Sequence, residues 1–150
     1  MWLDAILAYL HFTAIFVLFA FLSVEFYLVR LRLDATTIRQ LARVDAWYAG
    51  SAIVVLATGL ARMGWGAKGS AFYLDDWVFY AKVALFVAVG LVSIRPTFAF
   101  IRWKRHLEID PVWSVPDAER NAIRGWLMVE IHLASIIPVL AVVMARGLSH

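Results

Sequence analysis

The sequence predicts an all-α integral membrane protein: a bundle of four transmembrane helices, with a short interfacial helix between spans one and two. Three observations carry that prediction. Of 150 residues, 63% are hydrophobic and the mean hydropathy is +0.78, outside the range of soluble globular domains. The apolar residues gather in four runs, approximately 4–29, 45–62, 77–102 and 122–146, and a helix needs ~20 such residues to cross a bilayer core. The charged residues, mostly Arg, lie largely between those runs. One transmembrane domain over residues 1–150 accounts for the chain.

The first run, Leu3 to Val29, is interrupted in its interior only by His11 and Glu25. At ~1.5 Å and 100° per residue these two point to roughly the same face, about 20 Å apart along the axis. A charge facing lipid at that depth costs a few kcal/mol, so this face should look inward at other helices. The run is expected to be a retained helix and not a cleavable signal, because Asp4 stands where a basic segment is needed and the run is too long.

After Arg30 and Arg32, the stretch Asp34-Ala-Thr-Thr can cap a short interfacial helix. That helix would carry Ile38, Leu41 and Val44 on one side and Arg39 and Arg43 on the other. The second run, Ala46 to Ala61, is near the short end for spanning, and Ala42, Ala46 and Gly50 form a small-residue ridge suited to close helix approach. Gly64 to Asp76 holds three glycines, Lys68 and the Asp75-Asp76 pair, and predicts an external loop with Trp65 and Trp77 at the interface. The third run, Val78 to Ile101, contains Lys82 and Arg95. Pro96 should kink it, and Arg102, Lys104 and Arg105 end it. The loop from His106 contains Pro111 and Pro116, and Asp117 is placed to cap a last helix that carries Glu130 and His132 early in its span.

Composition excludes some chemistry. There is no cysteine, so a disulfide or thiolate metal site cannot form, and ligation must come from His, carboxylate, Met or Lys. The net charge of +3 comes mostly from Arg between apolar runs, a sign of membrane topology and not of nucleic-acid binding.

With the four spans oriented, the polar residues fall into two layers. His11 and Lys82 share the outer level, with Arg62 close by; Glu25, Arg95, Glu130 and His132 share the inner one. Each has a plain structural reading. Arg62 can snorkel to headgroups. Arg95 can snorkel too, or form an ion-pair cluster with Glu25 and Glu130. Glu130 and His132 stand about 200° apart around their helix, so they cannot both face the bundle centre. A carboxylate/His metal site of Glu25, Glu130 and His132, suited to Zn, Mn or Fe, is an alternative for the inner layer. His11 either hydrogen-bonds a neighbouring carbonyl or serves as a ligand. With no carboxylate at its depth in the sequence, Lys82 favours an outer site, since neutral Lys or His can hold a metal or the acid group of a ligand.

Short segments carry a family resemblance. Tyr9-Leu-His11-Phe-Thr-Ala-Ile, Leu18-Phe-Ala-Phe-Leu22 and Ala81-Lys82-Val-Ala-Leu-Phe resemble the HemJ-type protoporphyrinogen oxidases, small bacterial inner-membrane proteins associated with b-type haem. The wider likeness takes in the membrane domain of CopD proteins and uncharacterised four-helix membrane proteins, to which this chain looks closest. The resemblance implies a haem-b-associated redox protein of the bacterial inner membrane, with His11 on the haem iron, Lys82 as the family lysine, and Arg124 and Glu130 in the last-helix motif; Arg62, at the same depth as His11, is a further candidate for cofactor binding. It departs from the family at Ser23-Val-Glu25-Phe, where Tyr-Leu-Pro-Arg is absent, and at Val129-Glu130-Ile-His132, a reduced form of Asn-Glu-x-Pro. Partners implied are the lipid bilayer, a second copy of the chain, and a tetrapyrrole or quinone substrate. His132 is not expected on the same iron as His11, since the two differ by roughly 15 Å in depth. The alternative reading is a small proton or metal transport module built on the inner Glu/Arg/His cluster.

Orientation follows from charge. The loops between spans one and two and between spans three and four hold nine basic residues, against Arg62, Lys68 and Arg146 on the side of the termini. A reporter fused after His150 should therefore be exposed in the periplasm, and a cytoplasmic readout would invert the whole depth assignment.

Overall fold

The computed structural model describes residues 2–66 and 69–146. Its elements are α1 (Trp2–Leu28), α2 (Ala35–Trp65), the short α3 (Gly69–Leu74), α4 (Trp77–Ile109) and α5 (Asp117–Ala145). The four long helices are each long and apolar enough to cross a membrane. α1 packs on α2, α2 on α4, α4 on α5 and α5 on α1, which closes a ring with α2 and α5 on a diagonal.

Lipid acts as the solvent for the outside of this ring. Phe16, Ile53, Leu91 and Val139 are exposed on four different helices, as large apolar side chains are where the surroundings are hydrocarbon. The well-packed core sits toward the expected cytoplasmic end. Val29, Ile38, Leu41, Phe100, Trp103 and Leu127 are all fully buried there, and Phe100 meets Trp103 edge-on at 5.6 Å.

Four expectations change. The separate interfacial helix does not exist: residues 35–65 form one helix, which begins where Asp34 Oδ1 accepts the Thr37 backbone N–H at 2.8 Å. Its first fifteen residues contain neither Gly nor Pro, and Ile38, Leu41, Asp45 and Tyr48 share one buried face, so nothing breaks the helix at the membrane surface. Helix α4 likewise does not end at its basic cluster. It continues to Ile109, because Trp103 and Leu107 are buried on the face opposite the exposed Arg102, Lys104 and Arg105. The helix also passes through buried Pro96, which leaves the Val92 carbonyl without its usual helical donor. Finally, the external loop contains α3, and Lys68 within it lies outside the described residues, as does His150.

The last helix starts differently as well. Pro116 occupies its cap position with no side-chain cap bond, and Asp117 instead lies 3.8 Å from Arg120 one turn on. At the other end of the hairpin, Asp76 Oδ1 caps α4 by accepting the Val78 N–H at 2.9 Å.

Trp103 anchors the packed end, so Trp103→Ala should cost about 3–5 kcal/mol through lost burial and the cavity left behind. Phe16→Ala, at a site 75% exposed, should leave the unfolding midpoint in detergent nearly unchanged. Equal shifts for the two variants in thermal unfolding would place the core elsewhere.

Candidate functional site

Four helices bring a set of polar groups to the centre of the inner half. Glu25 comes from α1, Asp45 and Tyr48 from α2, Thr97 from α4 and Glu130 from α5. Asp45 and Tyr48 are three residues apart on the buried face of α2, which turns both side chains inward. Glu25 and Glu130 are 1% and 0% exposed. The Tyr48 hydroxyl donates to Glu130 Oε1 at 2.6 Å, and the Thr97 hydroxyl donates to Asp45 Oδ1 at 2.7 Å. The three carboxyls are close enough to act on one another's charge.

Two oxygens in this cluster have no partner. Glu25 Oε1 and Glu130 Oε2 are both buried and accept no hydrogen bond. Among the described residues none of the three carboxyls forms an ion pair. Three adjacent ionised carboxylates out of water would face both a large desolvation cost and mutual repulsion, so the arrangement stands only if protons neutralise most of that charge.

The basic and imidazole groups expected here are elsewhere. Arg95 does not join Glu25 and Glu130: it is exposed on the outside of α4, with its guanidinium 5.5 Å from the Trp126 ring centre. His132 is also exposed, and its Nδ1–H donates to the Met128 carbonyl of its own helix at 2.6 Å. The angular separation of Glu130 and His132 around α5 therefore resolves with Glu130 inward. This removes His132 from the inner metal site, and no set of three His, Asp or Glu side chains among the described residues is arranged to hold a metal.

The outer layer is assembled from α1, α2, α4 and α5. His11 Nδ1 lies 2.9 Å from Thr58 Oγ1. The Thr58 hydroxyl has two backbone acceptors of its own, the Val54 carbonyl at 2.7 Å and the Val55 carbonyl at 3.1 Å, and the His11 ring also hydrogen-bonds the Val55 backbone. Gly59 makes room for the ring, since a Cβ there would stand 3.3 Å from His11 Cε1. Arg62 and Lys82 both lie within electrostatic reach of His11. The Arg62 guanidinium sits 5.5 Å from the Phe12 ring centre, and Lys82 Nζ donates to Met144 Sδ at 2.9 Å.

Sequence reasoning missed Asp45, Tyr48 and Thr97. The available signal was the inward stripe of α2, where Asp45, Tyr48, Ser51, Thr58 and Arg62 recur at three-to-seven-residue steps. Treating the residues before Asp45 as a separate helix hid that stripe.

The model of a family described as Predicted membrane protein (DUF2214) matches residues 3–149. No curated protein and no solved structure matches.

If the cluster is built this way, Tyr48→Phe leaves both oxygens of Glu130 unsatisfied and should cost about 1–3 kcal/mol, the penalty for a stranded buried acceptor. His132→Ala, on an exposed helix face, should stay within about 0.5 kcal/mol of wild type. Thermal unfolding in detergent compares the two, and a silent Tyr48→Phe would show that its hydroxyl does not satisfy Glu130.

Proposed function

We propose, for a chain that belongs to the DUF2214 family of predicted membrane proteins, that it is a proton-coupled module of the membrane. In this reading Glu25, Asp45 and Glu130 are its proton-holding site. The supporting observation is the pair of orphaned buried oxygens, Glu25 Oε1 and Glu130 Oε2, in a cluster of carboxyls with no basic partner among the described residues. A bundle that needed only stability would place apolar side chains there, since replacing buried charge by hydrocarbon is often neutral or favourable. Ionisable groups inside a membrane bundle are expected where protons or ions are handled.

A route to this site follows α2. Ser51 lies one turn above Tyr48, and Thr58 with His11 about 10 Å beyond Ser51 along the axis. His11 can pass a proton through its ring, and Thr58 can take one from it only as its own hydroxyl proton leaves the Val54 carbonyl for a water on the Ser51 side. Tyr48, with its hydroxyl on Glu130, would link that stripe to the carboxyls. Buried Leu18, Leu22 and Val55 lie between the two layers, so transfer across that gap requires water to enter it.

The outer layer supports a second reading, the haem protein that the HemJ-like segments imply. The donor set fits in kind: an imidazole is a haem ligand, and Arg62 and Lys82 are cations near His11 for propionates. Haem bound there would supply electron transfer. His11 would hold it, and Thr58 would fix the imidazole orientation. An optical spectrum of protein purified in mild detergent tests this reading: a Soret band that disappears in His11→Ala is expected from it.

The proton reading is tested in proteoliposomes with an entrapped pH-sensitive dye and an imposed membrane potential. Wild-type protein should carry protons, and Glu130→Gln and Glu25→Gln should each lower the flux at least tenfold while keeping the fold, because Gln keeps the shape of a neutral acid. Undiminished flux in both variants, or none in wild type, would overturn it. Infrared spectra supply an independent readout, since protonated buried carboxyls show a C=O band that weakens in the Gln variants.

A further inference from the structure

On the outside of the bundle, α4 and α5 leave a groove of about 370 Å³. Arg95, Phe98 and Arg102 line it from α4, and Glu119, Ile123 and Trp126 line it from α5. These positions repeat every three or four residues on both helices, so the groove is the seam between them, about two helical turns long. It opens on the outside of the bundle through the exposed Ile94, Arg95 and Phe98, and nothing below depends on the acidic cluster.

The charges in the groove are unequal in standing. Arg102 pairs with Glu119, whose Oε1 also accepts the Trp103 indole N–H at 2.8 Å, so that carboxylate is engaged from two sides. Arg95 forms no ion pair among the described residues. It lies seven residues, about 10 Å, further toward the membrane centre than Arg102, exposed and stacked over Trp126. The groove therefore carries one uncompensated positive charge, two helical turns inside the Arg102–Glu119 pair along an apolar span. Its apolar wall is open too: Phe98 is 65% exposed and Ile94 is 45% exposed.

A guanidinium whose one neighbour is an indole ring still lacks an anion, and a phosphate is the anion that a planar Arg fork fits. We propose that this seam binds an anionic phospholipid of the cytoplasmic leaflet. Its phosphate sits between Arg95 and the donors of Arg102 not used by Glu119, and an acyl chain runs along Phe98 and Ile94. The net charge of the groove matches one phosphodiester, and Trp126 sits at the height of the glycerol backbone, where indole is favoured in membranes. Arg102 with Glu119 closes the seam at its expected cytoplasmic end, so the headgroup enters from the side of the bilayer.

Native mass spectrometry of protein released from micelles containing phosphatidylglycerol and phosphatidylcholine in equal amounts tests this. Wild-type protein should retain phosphatidylglycerol in preference to phosphatidylcholine. Arg95→Gln should weaken phosphatidylglycerol retention about fivefold, as expected for one basic residue at a lipid surface. Arg95→Lys, which keeps the charge and loses the fork, should fall between them, and it carries the test if Arg95→Gln unfolds in lipid-free detergent. Equal retention of the two lipids by wild type, or phosphatidylglycerol retention unaffected in both variants, overturns the proposal. Displacement of the lipid by millimolar inorganic phosphate would also overturn it, by showing a free-anion site in place of a lipid site.

Discussion

The hydrogen bond from Tyr48 to Glu130 constrains the rest of the bundle. It joins α2 to α5 across the diagonal, through the space where four helices meet, and at 2.6 Å it leaves no room for either helix to rotate away. Once Glu130 faces the centre, His132 must face out, since about 200° separates them around α5. Once Tyr48 faces the centre, Asp45 does too, and Thr97 on α4 meets it. The inner site is in this sense a consequence of one side-chain pair and of helical geometry.

The two ends of the molecule are built on different terms. Toward the expected cytoplasmic end, the helices run beyond the apolar spans and close over Trp103, Phe100, Ile38 and Leu41, with Glu119 joining Arg102 and the Trp103 indole at the edge. Toward the other end, packing gives way to polar pairs: His11 with Thr58, Lys82 with Met144, Arg62 over Phe12. A packed floor thus lies under the carboxyls, with a more polar half above them. It also puts the carboxyl cluster out of direct contact with water on the packed side.

Arginine is used in two ways here. Arg95 and Arg102 stand on the outside of α4, where long side chains can meet headgroups while their stems cover apolar surface. Arg62 sits partly buried with its Nε unsatisfied, held over an aromatic ring. Neither use places a cation beside Glu25 or Glu130, and that absence of compensation among the described residues gives the carboxyl cluster its chemical character.

The sequence by itself determined the four long apolar helices, the inward direction of Glu25 and the grouping of His11 with Lys82 and Arg62. These follow from run length, helical period and depth, which depend on one helix at a time. It also contained the incompatibility of Glu130 and His132, a matter of angle around a single axis. Only the tertiary structure decided which of the two faces inward, that Arg95 turns to Trp126 and not to Glu25, and that Asp45, Tyr48 and Thr97 complete the inner site. Those outcomes depend on the rotation of each helix against its neighbours, and depth along an axis carries no information about rotation. The continuity of α2 belongs to the same class: the charges of Arg39 and Arg43 suggested a surface helix, but the burial of Ile38 and Leu41 against the other helices extended it into the bundle.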